Sequence, residues 1–88
     1  MTNKTEEFEQ AMRIFEEKLL PEMKARWLEG NEKYGMINEH QPDKFALGLV
    51  HKAAGIASFT YKGTLTMEDI ADGMNLLLML ELSVQQKW

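Results

Sequence analysis

Residues 66–84, TMEDIADGMNLLLMLELSV, constrain this chain more than any other stretch. They read as one helix that opens on Glu68, Asp69 and Asp72. It then carries apolar side chains at Met74, Leu76, Leu77, Leu78, Met79, Leu80, Leu82 and Val84. A surface helix of a small protein has an apolar stripe about 100° wide, and these positions cover a much broader arc. Such a helix needs cover on several sides, from other helices of the chain, from a second copy, or from both.

The rest of the sequence supplies further helices and no strand pattern. Phe8, Met12, Phe15 and Leu19 recur at spacings of three and four, which predicts a helix over about 6–20 with Thr5 as its N-cap. Pro21 removes a backbone donor, so that helix either kinks there or restarts with Pro21 in its first turn. Met23 and Trp27 continue the rhythm through a segment over about 21–34, with Gly35 as a left-handed cap. Residues 35–43 read as the main loop. A third helix over about 43–61 has Phe45, Leu49, Ala53, Ile56 and Phe59 or Tyr61 as its buried stripe, and Gly63 is its natural stop. The last helix, over about 67–86, starts at Thr66, whose spacing to Asp69 has the form of a capping box. Trp27, Phe15, Phe45 and Phe59 are expected to pack together. The expectation is a single all-α domain over 1–88, a small antiparallel bundle of about four helices completed by dimerisation.

Composition excludes several classes of function. The chain has 88 residues and no cysteine, which removes disulfides, thiolate metal sites and cysteine nucleophiles. Its net charge is −4, and basic residues are interleaved with acids, so a nucleic-acid partner is not expected. The N-terminus carries acids where a signal peptide needs an apolar run, and the run Leu76–Leu80 is too short to span a bilayer. A cytoplasmic protein without a membrane partner is expected. Residues 1–44 hold seven basic and ten acidic side chains, against three and four in 45–88. The second half therefore reads as core or interface.

The acids of the last helix are the first candidates for chemistry. Glu68, Asp69 and Asp72 lie three and four residues apart on one face, with Asn75 a turn further on. Clustered oxygens at this spacing suit part of a Mg²⁺ site. The competing reading is structural, because acids in a first turn cap the helix and complement its dipole. That reading covers Glu68 and Asp69 better than Asp72. Of the two histidines, His51 lies on a helix and is the better acid–base candidate, while His40 sits in a polar loop.

Asn31-Glu-Lys33-Tyr34-Gly35, followed later by Glu68-Asp69-Ile-Ala-Asp72-Gly-Met-Asn75, resembles the motif order of MazG-like all-α nucleotide pyrophosphohydrolases, especially small phage-borne members. The resemblance covers roughly 20–84. It implies a Mg²⁺ site with Asp69 and Asp72 in the family's acidic places and Glu68 beside them, and nucleotide contacts from Asn31, Lys33 and Asn75. The chain departs from the pattern on the third helix, where His51-Lys52-Ala-Ala-Gly55-Ile56 stands in place of two acids. The remaining ligands are too few to position both a cation and an attacking water. Lys52 is expected either to pair with the acids across helices or to meet a phosphate. Two functions follow: a MazG-like nucleotide-handling protein, either a Mg²⁺-dependent nucleoside triphosphate pyrophosphohydrolase or one whose catalysis has degenerated, or a non-enzymatic homo-oligomeric module that binds another protein.

Overall fold

The structure is a computed structural model that describes residues 3–88; Met1 and Thr2 of the expected domain lie outside the described residues. It is all-helical, with no strand among the described residues. Helix α1 (Lys4–Ile14) runs through a π-helical turn (Phe15–Leu19) into α2 (Leu20–Tyr34). A short 3₁₀ turn (Ile37–Glu39) leads to α3 (Pro42–Lys62), and α4 (Met67–Lys87) follows.

The two expected N-terminal helices are therefore one rod. Ile14, Phe15, Leu19 and Leu20 all keep right-handed helical dihedrals. The rod absorbs Pro21 by widening. The proline ring crowds the carbonyl four residues back, and the π turn lies directly before it, with the Leu20 N–H donating to the Phe15 carbonyl. At 1.5 Å per residue, a rod from Lys4 to Tyr34 is about 46 Å long. The molecule's longest extent is 47 Å, so this rod sets its length.

Local signals place most helix ends. Asn3, not Thr5, caps α1, accepting from the Glu6 N–H at 2.9 Å. Gly35 ends α2 with φ +88° and ψ −171°, an extended positive-φ conformation rather than the expected left-handed helical one. A β-carbon there would also collide with the Glu39 carboxylate. Gly63 ends α3 in the left-handed region, and the Thr64 N–H reaches back to the Phe59 carbonyl at 2.8 Å. The Thr66–Asp69 capping box forms as expected, with the Asp69 N–H on Thr66 Oγ1 and the Thr66 N–H on Asp69 Oδ2.

α4 is the element on which the others pack. α2 runs parallel to it: Leu19 and Met23 bury against Ala71, while Gly30 and Tyr34 face the level of Leu76 and Met79. α3 runs antiparallel, placing Gly48 against Leu76 and Ile56 against Gly73. Phe15, Ile70 and Met74 complete the cluster around Leu19, Met23 and Ala71. The expected aromatic core does not form. Phe45 is buried but meets His40 edge-on at 6.0 Å, and Phe59 is 39% exposed. On α3, Phe45, Leu49 and Ile56 turn inward as expected, whereas Ala53 is exposed, Lys52 takes the inward place beside it, and Tyr61 is 94% exposed.

Candidate functional site

Asp72 stands where α2, α3 and α4 meet. Arg26 on α2 grips it with two parallel hydrogen bonds, Nε to Oδ1 at 2.9 Å and Nη2 to Oδ2 at 2.8 Å. Lys52 on α3 approaches Oδ2 at 3.4 Å and Asp69 Oδ1 at 3.7 Å. Arg26 also reaches Glu68 at 3.6 Å. The side chains of Arg26, Lys52 and Asp72 are 31%, 27% and 22% exposed, so water screens the pairs only partly. Paired, fork-to-fork geometry of this kind is the stronger form of an arginine–carboxylate contact.

The electrostatics follow from those contacts. Asp72's hydrogen bonds and charge, helped by Glu29 and Glu68, raise the Arg26 guanidinium further above its ordinary value. Asp69 is held below the usual aspartate range, first by the Thr66 hydroxyl, then by the Thr66 backbone N–H, with Lys52 adding to both. Each of the three acids put forward as Mg²⁺ ligands thus has a cation of the chain itself within 4 Å. Among the described residues, no group of three or more His, Asp or Glu side chains is arranged to hold a metal ion.

The other candidates divide between core and cleft. Asn75 is buried, and its side-chain amide donates to the Met23 carbonyl at 2.8 Å, tying α4 to α2. With its amide turned to satisfy both neighbours, Asn31 accepts from the Trp27 indole at 3.1 Å and donates to the Gly35 carbonyl at 3.3 Å. Lys33 is 62% exposed and lies 3.5 Å from Glu29. His51 is exposed and lies outside the cleft that its neighbour Lys52 lines. That cleft, about 340 Å³, is bounded by Arg26, Lys33, Tyr34, Lys52, Asp72 and Asn75, with Leu76 and Met79 beneath. A second, largely apolar cavity of about 220 Å³ adjoins it beside Ile37, Phe45 and Gly48.

Sequence reasoning missed Arg26, the residue on which the whole cluster turns. A signal was present. Arg26 sits three residues after Met23 and one before Trp27, at the edge of the apolar stripe, while Asp72 is an acid beyond the first turn of an apolar helix. An arginine and an aspartate that both border buried faces are natural partners. The expected interhelical ion pair of Lys52 is present. No protein-family model, curated protein or solved structure matches this chain. No helix among the described residues is long and apolar enough to cross a membrane.

Proposed function

We propose that this protein is a non-enzymatic helical module that works as a homodimer and binds a further protein. The observation that carries this reading is apolar surface left uncovered. Among the described residues, sixteen large hydrophobic side chains are exposed and five hydrophobic residues are buried, which favours a partner surface over a monomer. Leu20, Trp27 and Leu28 of α2 and Leu78 of α4 border one apolar groove, with Leu82 a turn beyond. Two such faces related by a two-fold axis make a four-helix core. The acids of α4 support the same reading. A Mg²⁺ ion at Asp72 must displace both Arg26 and Lys52, so the cluster acts as a clasp between helices.

Light scattering on the purified protein, coupled to size exclusion, tests the dimer. Twice the chain mass is expected, and a joint Leu28→Glu and Leu78→Glu substitution returns the monomer. A monomer at all accessible concentrations removes the proposal. Incubation with Mg²⁺ and a panel of dNTPs is expected to release neither pyrophosphate nor orthophosphate.

A second reading keeps the resemblance to MazG-like proteins: a degenerate member that holds a nucleotide without hydrolysing it. The 340 Å³ cleft beside Lys33, Tyr34 and Lys52 favours it. Calorimetry with nucleotides in the presence and absence of Mg²⁺ tests it, and absence of binding heat removes it.

A further inference from the structure

The N-terminal rod carries a row of side chains that complements itself when reversed. Met12, Glu16, Leu20, Lys24 and Leu28 follow one another at four-residue spacing, and all five are exposed. Such a row drifts around an α-helix of about 3.6 residues per turn. The wider π turn at Phe15–Leu19 takes up part of that drift, so α1 presents Met12 toward the side on which α2 presents Leu20.

Along the chain the row runs apolar, acidic, apolar, basic, apolar. An antiparallel copy centred on Leu20 sets Met12 on Leu28 of the partner subunit, Glu16 on Lys24 of the partner subunit, and Leu20 on its own counterpart. A parallel copy would instead set Glu16 on Glu16 and Lys24 on Lys24. Among the described residues, neither Glu16 nor Lys24 enters an ion pair within the chain. α1 buries no residue against its own chain. Leu20, Lys24 and Leu28 border the apolar groove of about 210 Å³ between α2 and α4, with Leu78 of α4 opposite them.

We propose that two rods lie antiparallel about a two-fold axis at Leu20, so that α1 of each copy covers the groove of the other. The proposal rests on the homodimer put forward as the function and specifies how the two copies meet. The contact is isologous, as a two-fold axis requires. From Met12 to Leu28 the rods overlap over about 24 Å. Two Glu16–Lys24 pairs flank the apolar centre, and they set the direction of pairing more than they add affinity.

Charge reversal, followed by analytical ultracentrifugation, tests the register. Glu16→Lys alone brings like charges together twice in each dimer and should weaken dimerisation about tenfold, as should Lys24→Glu alone. Joining the two substitutions in one chain should restore it to within about threefold. An equimolar mixture of the two single variants should form heterodimers in preference to either homodimer. Both positions are exposed, so circular dichroism should show the helix content unchanged. Single variants that dimerise as before, or a joint variant that does not recover, overturn the register and leave the dimer standing. A monomeric unmodified protein removes both. Because the chain has no cysteine, Leu20→Cys gives a second measurement. It should cross-link to its own copy under copper–phenanthroline oxidation, whereas Met12→Cys should cross-link only when mixed with Leu28→Cys. Cross-linking of Met12→Cys to its own copy marks a parallel pair and overturns the proposal.

Discussion

α1 and α2 belong to one rod, yet only the part from the π turn onward has a buried face. Leu19 and Met23 sit in the core, whereas α1 buries nothing and leaves Phe8 66% exposed. The apolar periodicity of α1 is nonetheless the more pronounced of the two. Periodicity reports which residues share a face. Whether anything covers that face is decided by where the neighbouring helices end, and α4 begins at Met67, level with the π turn rather than with α1.

Substitutions should break the rod into these two parts. Met23→Ala removes a side chain that is 2% exposed and should cost about 2–5 kcal/mol in urea denaturation. Phe8→Ala should stay within about 0.5 kcal/mol of the unmodified protein at concentrations where it is monomeric. Similar losses at both positions would show that α1 is covered.

Asp72→Asn tests the clasp that holds the second part in place. It leaves Arg26 and Lys52 short of their common partner and should cost about 1–3 kcal/mol. Mg²⁺ should not raise the melting temperature of the unmodified protein. A rise that disappears in Asp72→Asn would assign the residue to a metal instead.

Two glycines sharpen the contrast between positions that the fold constrains and positions that it leaves open. Gly63→Ala forces a side chain into the left-handed region and should lose about 1 kcal/mol. Gly30→Ala, in open space within a helix, should gain about 0.5–1 kcal/mol. Both follow from thermal denaturation of the single variants.

The smallest effect expected is a pH dependence from Asp69. Its carboxyl is held below the aspartate range, so its contribution is complete above its unfolded pKa near 3.9 and is lost as the pH falls through its lowered folded value. Asp69→Ala should flatten the acid limb of the stability curve. An unaltered limb would assign that limb to other carboxylates.

The parts legible in the sequence are those set by near neighbours. The all-helical fold, the stop at Gly63 and the Thr66–Asp69 box each depend on residues within one turn. The role of Arg26 and the burial of Asn75 depend on how α2 turns about its axis against α4. Stripe spacing alone does not say whether Lys52 or Ala53 fills the inward place between Leu49 and Ile56. The aromatic rings do not share one centre, because periodicity carries no information on which side of α4 each lies: Phe15 packs beside Leu19 and Met23, and Phe45 against His40.

The order in which the chain assembles follows from the short link between α3 and α4. Residues 63–66 join two long helices that pack along each other, so this hairpin closes with little loss of chain entropy. The contacts that bring α2 onto it span 46 residues for Arg26 with Asp72 and 52 for Asn75 with Met23. Hairpin formation is expected to precede docking of α2, with the ion pairs and the Asn75 bond made last. Amide exchange should record the same hierarchy, slowest in the middle of α4 and fastest in α1.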